Sequence, residues 1–199
     1  MREPAEPSDD PLTLRERLLD VPWGVPRQVW YGRLAALIGL ALWGTSVWLG
    51  KMTELPKALH LTVILFHEAG HVIFSVFGET LRVAGGTLAQ LLMPLICAAS
   101  MFRRSDNFGA SVCLAWMAMS LMDASIYAYD AADPVLPLIG GGTGADRFHD
   151  FIFLFDHFGQ LDHARGWARL MNALGALGLY ASLAWGAVLL YLQNEHRAD

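Results

Sequence analysis

Long apolar runs separated by short polar stretches are the dominant pattern of this 199-residue chain. A helix needs about 20 mostly apolar residues to cross the hydrocarbon core of a bilayer. Five runs reach or approach that length, and they lie near residues 34–50, 58–78, 83–102, 108–129 and 170–193. Charged residues collect between these runs and before residue 34. The pattern therefore predicts an all-α, multi-pass transmembrane helical bundle with about five membrane helices over residues 34–193.

The segments that flank the predicted bundle are more polar. Residues 1–33 are predicted to form an N-terminal extension, with a short amphipathic interfacial helix near 11–20 that lies on the membrane surface. No apolar stretch precedes Leu34, so we expect no cleavable signal peptide. Residues 194–199 are predicted to be a polar C-terminal tail.

The connection over residues 133–166 is the longest between two runs. It contains the glycine-rich stretch 140–144 and an apolar piece, Phe151 to Phe155, that is too short to span a bilayer. A connection of this length is often functional. We therefore expect a gating loop whose apolar piece packs over a site formed by the helices.

Composition narrows the class of partner. The chain is 54% hydrophobic and 17% charged, against about 25% charged residues in a typical soluble domain. A net charge of −5 and the lack of a basic stripe argue against a nucleic-acid partner. The lipid bilayer is therefore the first partner that we expect. Lys and Arg are more frequent on the N-terminal side of the predicted bundle, so the positive-inside rule places the N-terminus in the cytoplasm.

An HExxH motif, His67-Glu68-Ala69-Gly70-His71, lies inside the otherwise uncharged run 58–78. Positions i and i+4 lie on one face of a helix, so both imidazoles can bind a single Zn²⁺. Glu68 is then placed to act as a general base on a water held by the metal. Ionisable groups within a membrane segment are costly and usually functional. The motif thus predicts a zinc site, and the alternative is two core histidines beside a glutamate that reaches toward the interface.

The third metal ligand must come from elsewhere, because a catalytic zinc usually has three protein ligands and one open position. Asp123 is the first choice, since it is the only other charged residue well inside a predicted span and would be costly there without a partner. His149 is the alternative third ligand, on a loop that can close over the metal. Asp130 and Asp150 are further candidates for the same position.

Other polar residues are predicted to orient ligands or substrate. Tyr127 and Asp130 share a helix face with Asp123. Tyr127 would donate a hydrogen bond to an oxyanion, and Asp130 would orient a ligand histidine. Gln90 is an isolated amide that would bond either another helix or the backbone of a bound peptide. Asp150 would contact the metal or the substrate from the loop.

Small residues recur at i+4 spacing on the last run, at Gly178, Ser182 and Gly186. Such a ridge lets two helices approach closely in lipid. It predicts either packing within the bundle or the interface of a homodimer.

The residues around the motif resemble those of the integral-membrane zinc metalloproteases of the site-2 protease group. In that group a Phe-Gly step and a Gly-Gly turn follow the motif, as Phe77-Gly78 and Gly85-Gly86 do here. The resemblance covers roughly residues 58–100, and the wider pattern is similar to a divergent bacterial branch. It implies that His67 and His71 are zinc ligands and that Glu68 is the base.

In the same group the third ligand is an aspartate of a later membrane helix, and this favours Asp123. The chain departs from the group at this position. No Asn-Pro-x-x-x-Leu-Asp-Gly sequence surrounds Asp123, which stands in Ser120-Leu121-Met122-Asp123-Ala124.

Motif, setting and resemblance together predict an intramembrane zinc-dependent endopeptidase that hydrolyses peptide bonds in or next to the transmembrane segments of a membrane-protein or peptide substrate. The resemblance also implies a bacterial cytoplasmic membrane as its location. The alternative is a non-proteolytic metal-binding membrane protein (transporter, sensor or scaffold) that retains the fold. Glu68 separates the two, because a transporter or scaffold has little need of a base beside the metal. A bis-histidine haem site is disfavoured, because i, i+4 spacing on one helix prevents ligation from opposite sides of a porphyrin.

Overall fold

The computed structural model describes residues 13–52, 57–138 and 141–195, and these ranges fold mainly into helices, with no strand among them. Their α-helices, in chain order, are α1 (Leu14–Leu19), α2 (Arg27–Trp48), α3 (Lys57–Phe74), α4 (Glu79–Arg103), α5 (Asn107–Asp130), α6 (Asp150–His157) and α7 (Ala164–Glu195). Two 3₁₀ turns, Ser75–Phe77 and Leu161–His163, follow α3 and precede α7. The predicted all-α class is confirmed for the described residues.

Several helical segments in the described part of the chain are long and apolar enough to cross a membrane. There are four of them: Ala58–Phe77, Glu79–Arg103, Asn107–Asp130 and Leu161–Glu195. They correspond to four of the five predicted spans. The run near 34–50 lies in α2, which includes Arg27 and Arg33 and is not among the four. The count of five membrane helices therefore stays a prediction.

Gly78 separates α3 from α4. Its φ of +96° lies in the left-handed region that favours glycine. α4 then begins at Glu79, earlier than the apolar run near residue 83, because a helix can begin in polar residues that an apolar pattern does not mark. Gly85 and Gly86 lie inside α4. The Gly-Gly turn that the resemblance implies is therefore wrong here, and these two glycines are helical.

The central helix of the bundle is α5. It is buried along most of its length and packs against α4 and α7. The main apolar core joins it to α2, α3 and α7, and its largest fully buried members are Leu59, Val63, Met119, Met122 and Leu179. The outward face of α3, by contrast, exposes leucine, isoleucine and valine side chains, as a lipid-facing surface requires. The space between α3, α4 and α5 is where the HExxH motif lies.

The small-residue ridge of α7 packs within the chain. Ser182 and Gly186 are buried. A Cβ added to Gly186 would lie 2.9 Å from Leu37 Cδ1 of α2 and 2.9 Å from Ser111 Oγ of α5. Of the two predicted uses of this ridge, the structure shows packing within the bundle. A homodimer through the same ridge would have to displace these neighbours.

The N-terminal helix α1 begins with a capping box. The Thr13 side chain accepts a hydrogen bond from the Glu16 backbone N–H, and the Glu16 carboxylate accepts one from the Thr13 N–H at 2.7 Å. Trp185 of α7 donates to the Leu18 carbonyl at 2.9 Å, which fixes α1 to the bundle. The position of this helix on a membrane surface stays a prediction. Residues 1–12 and the tail from residue 196 onward lie outside the described residues.

The long connection before α7 is partly helical, because the apolar piece predicted from Phe151 to Phe155 forms most of α6. Phe151 packs with Ala128 of α5 and Ala168 of α7. Residues 139–140 lie outside the described part. This packing brings the first residue of α6, Asp150, to the space between α3 and α5.

Candidate metal centre

The HExxH motif lies on α3 with both histidines on the same face. Ligand atoms of His67, Glu68 and His71 all lie within 4.8 Å of one another, so the three could hold a metal ion. His67 is buried, with 7% of its surface exposed, whereas Glu68 is exposed toward a cavity of about 670 Å³ that it helps to line. The spatial grouping that the motif predicts is therefore present.

Glycines let α3 and α4 approach closely enough to build this site. A Cβ added to Gly70 would overlap the Gly85 carbonyl, so no larger residue fits between the two backbones. A Cβ added to Gly86 would lie 2.6 Å from His67 Nε2 and 2.7 Å from His71 Cε1. Gly86 therefore leaves open the space that the two imidazoles face.

The Nδ1 atoms of the two imidazoles have carbonyl partners. His67 Nδ1 lies 2.9 Å from Gln90 Oε1, and Gln90 Nε2 donates to the Ser120 carbonyl at 3.0 Å, which orients the amide. His71 Nδ1 lies 2.9 Å from the Arg82 carbonyl oxygen. Carbonyl oxygens only accept hydrogen bonds, so these partners assign the proton of each ring to Nδ1. Both Nε2 atoms then carry a lone pair, as in ligand histidines whose other nitrogen is held by an outer partner.

The two Nε2 atoms converge on one carboxylate oxygen. Asp150 Oδ2 lies 3.0 Å from His67 Nε2 and 3.3 Å from His71 Nε2. Lone-pair atoms that face one another need a proton or a cation between them. Ligands about 2.0–2.1 Å from a tetrahedral zinc lie roughly 3.3 Å apart, so the spacing fits a divalent ion with only small adjustments. Imidazole and carboxylate are ligand types that zinc takes.

The pKa of Asp150 depends on burial and on its two histidine contacts. Burial by itself would raise the pKa of its carboxyl, but when a proton lies on Nε2 of His67 or His71, the contacts with these imidazoles outweigh burial and hold the pKa at about 2. The carboxylate is 9% exposed, so its charge faces the imidazoles rather than bulk solvent. A buried charge of this kind is costly without a partner.

Asp123, the preferred third ligand from the sequence, has a different partner. Its Oδ2 lies 3.2 Å from His60 Nδ1, and both side chains line the same cavity as the HExxH motif. Tyr127, one turn further along α5, is the residue of that helix whose ring reaches His67, at 6.2 Å between centroids. The structure therefore brings Asp150, and not Asp123, into contact with the two imidazoles of the HExxH motif.

His149, the alternative third ligand, is buried beside Asp130. Its Nε2 lies 3.3 Å from Asp130 Oδ2, and its ring stacks on Tyr127 with centroids 4.0 Å apart. Burial lowers the pKa of His149, although the charge of Asp130 acts in the opposite direction. Asp130 thus lies beside a histidine, but that histidine precedes Asp150 and is not one of the HExxH pair that Asp130 was predicted to orient.

Sequence reasoning missed two features of the cavity. The Arg82 carbonyl holds His71, and a backbone contact leaves no side-chain signal in a sequence. The second feature is Arg147, which lines the cavity next to Phe148. The Phe148 ring also lies under Arg82, with 5.9 Å between the ring centroid and the guanidinium carbon. The Gly-Gly pair of α4 was visible, but its role in making room for the imidazoles was not.

Together, the apolar helices and the His67–Glu68–His71 group define a class: a multi-pass, helical membrane-type protein with a candidate metal centre among its helices. Comparison with protein-family models, with curated proteins and with solved structures finds no match for the chain. The resemblance to the site-2 protease group therefore stays a prediction that rests on the quoted residues.

Proposed function

We propose that this chain is an intramembrane zinc-dependent endopeptidase that cleaves peptide bonds in or next to transmembrane segments. One observation carries the proposal. The lone pairs of two imidazoles and the Asp150 carboxylate converge beside Glu68, in a cavity of about 670 Å³ between helices that can span a membrane. A structural or transport site has no need of the adjacent carboxylate, whereas hydrolysis does.

Within this proposal, the ligands are His67, His71 and Asp150, in place of the Asp123 expected from the sequence. A zinc ion held by these residues would supply Lewis acidity to the scissile carbonyl and would activate a water for attack. Glu68 accepts a proton from the attacking water and delivers it to the leaving amine, while the carbonyl carbon gains a bond to oxygen and loses its bond to nitrogen. The Arg82 carbonyl holds His71 in the tautomer that this arrangement needs.

The substrate is proposed to be a membrane-protein segment or a peptide that enters the cavity in a locally unwound form. A membrane helix has its backbone hydrogen bonds satisfied internally, so it must unwind before attack. Polar groups of the cavity then receive the freed backbone groups. His60 and Asp123 lie on its wall at a distance from the metal ligands, and we propose them as a polar contact for the unwound strand.

The finer membrane arrangement belongs to the same proposal. We infer that α2 is a fifth membrane helix, that the N-terminus faces the cytoplasm, and that the membrane is a bacterial cytoplasmic membrane. The 22-residue length of α2 is sufficient to span. Its packing along α7 supports this, since Trp30 Nε1 donates to the Leu190 carbonyl at 2.9 Å and Gly44 lies against Leu179.

Glu68→Gln is the decisive test of catalysis. The purified full chain, reconstituted in vesicles, would be assayed against a set of single-span peptides and for zinc content. The unchanged chain should bind zinc and cleave, whereas Glu68→Gln should bind zinc and cleave at least about 10²-fold more slowly. Glu195→Gln, at an exposed position near the end of α7, is the matched control and should behave as the unchanged chain.

Two other outcomes have definite meanings. Equal cleavage by Glu68→Gln and by the unchanged chain would refute the role of Glu68. Zinc bound by a chain that leaves every peptide intact would favour the non-proteolytic alternative.

A further inference from the structure

We propose that the buried pair Asp130–His149 is a positioning device that holds Asp150 at the metal centre, and that neither member of the pair is a ligand. The inference rests on the metal site of the proposed function. It does not rest on proteolysis, so it can be tested without a substrate.

Both members of the pair are enclosed, and each holds backbone groups through its other polar atom. His149 Nε2 lies 3.3 Å from Asp130 Oδ2, and the two side chains are 0% and 2% exposed. His149 Nδ1 accepts the Ile152 backbone N–H at 3.3 Å, so the proton of the neutral ring lies on Nε2, the nitrogen nearest Asp130, although the two groups are not aligned as a hydrogen bond. The other Asp130 oxygen accepts the N–H groups of Val135 and Leu136 at 2.9 and 3.0 Å. One carboxylate at the end of α5 therefore holds both the beginning and the end of the connection to α6.

The imidazole of His149 is also held on its faces. Tyr127 stacks on it at 4.0 Å between centroids, with the planes 29° apart. The backbone at Gly144 approaches so closely that a Cβ there would lie 2.6 Å from His149 Cδ2. His149 is the N-cap of α6 and Asp150 is the first residue of that helix. Any shift of the His149 ring therefore moves the carboxylate that contacts the two metal-binding imidazoles.

The same contacts exclude His149 as a ligand in this arrangement. A neutral imidazole has one lone pair, and that of His149 is directed to the Ile152 N–H. Its remaining nitrogen carries the proton and lies 3.3 Å from Asp130 Oδ2. No ring nitrogen is left to bind a metal. The pair thus acts through Asp150, as outer partners act on ligand residues.

Two substitutions test the Asp130–His149 pair while leaving the rest of the fold unchanged. Asp130→Asn has the same shape, and its oxygen can still accept the N–H groups of Val135 and Leu136. Its amide N–H would then face the protonated nitrogen of His149, donor against donor. His149→Asn keeps a residue type that caps α6, but its side chain is too short to reach Asp130. Matched controls are Asp133→Asn and His157→Asn, both at exposed positions.

Zinc affinity of the purified full chain in detergent would be measured by competition with a chromophoric chelator. The absorption spectrum with Co²⁺ in place of zinc would report the ligand set. Asp130→Asn and His149→Asn should each weaken zinc binding by about 10–100-fold. The double variant should bind zinc only slightly more weakly than the weaker-binding of the two single variants, because both changes release the same carboxylate. Their Co²⁺ spectra should change in the same direction as that of Asp150→Asn, while the controls stay unchanged.

Three results would overturn the inference. A loss of affinity in His149→Asn alone, with Asp130→Asn unaffected, would identify His149 as a ligand. Unchanged zinc affinity and Co²⁺ spectra in both variants, with a lower unfolding temperature, would show a purely structural pair. A chain that binds no zinc at all would remove the metal site and this inference with it, whereas zinc binding without cleavage would refute only the peptidase.

Discussion

Replacing Gly86 by alanine should close the metal site from the side of α4. The added Cβ would lie 2.6 Å from His67 Nε2 and 2.7 Å from His71 Cε1. Non-bonded heavy atoms normally stay about 3.5 Å apart, so the rings or the helix must move by roughly 0.8 Å. Retreat of α4 would have to separate the tight contact between Gly70 and Gly85. Displacement of the two imidazoles is therefore the expected response.

The size of the effect follows from the tolerance of metal bonds. Ligand distances at a metal site hold within about 0.2 Å, and a displacement several times larger should weaken zinc binding by at least about 100-fold. Overpacking should also destabilise the protein by about 1–3 kcal/mol. Both would be measured on the purified chain, by chelator competition and by the unfolding temperature with and without zinc. The zinc-free variant should unfold at a lower temperature, and zinc should no longer raise it.

Gly178→Ala is the matched control, because it places the same methyl group in another membrane helix. Its Cβ would lie 3.4 Å from Ala118 Cβ, which is an ordinary contact. Zinc affinity should be unchanged there. If Gly86→Ala bound zinc as tightly as the unchanged chain and gave the same Co²⁺ spectrum, the metal would not lie between the two imidazoles and the reasoning would fail.

Three further substitutions test the ligand set and its orientation. Asp150→Asn should lower zinc affinity by about 10²-fold or more, while Asp123→Asn, whose partner is His60, should leave the zinc content unchanged; the opposite ranking would restore Asp123 as the third ligand. Gln90→Leu should weaken binding by about 10–100-fold, because His67 loses the acceptor that holds its Nδ1 proton. Zinc binding by Gln90→Leu at full strength would show that this hydrogen bond does not orient the ligand.

The part of the site that lies on α3 could be predicted from the sequence because its geometry is local. Helical spacing alone places His67 and His71 on one face with Glu68 beside them. Gln90 could be recognised as a functional amide, since an isolated polar side chain in an apolar run needs a partner. The helix that supplies this partner was not predictable. In the structure, Gln90 contacts His67 of α3 and donates to the Ser120 carbonyl of α5.

The third carboxylate depends on tertiary contacts: the argument from cost favoured Asp123, whereas the structure brings Asp150 to the two imidazoles. A carboxylate within a membrane helix does need a partner, but His60 meets the need of Asp123 at 3.2 Å. Asp150 lies in a polar connection where a carboxylate is ordinary, so the sequence marks it only by its neighbour His149 and ranks it below Asp123. Its position follows from the packing of α6 against α5 and α7, which the sequence pattern does not specify.

Glycines gave a signal that the sequence alone could not interpret. Gly85 and Gly86 were expected to form a turn, yet both lie inside α4, where the missing side chains allow α3 to approach. Gly78, a few residues earlier, is the glycine that breaks the helix, with φ at +96°. A glycine in a turn and a glycine at a helix–helix contact look identical in a sequence, and only the position of the neighbouring helix distinguishes them.

The residues of the proposed metal centre lie far apart along the sequence, and this separation sets the order in which the centre can assemble. α3 and α4 are neighbours along the chain, so they can form a hairpin bearing both imidazoles as soon as the two are inserted. Asp150 follows His67 by 83 positions, and closing a loop of that length costs about 4 kcal/mol of chain entropy. Only the later packing of α5, α6 and α7 offsets that cost. On the proposed ligand set, a metal ion would be retained only by a chain that has finished folding, and a bound ion would then mark complete insertion.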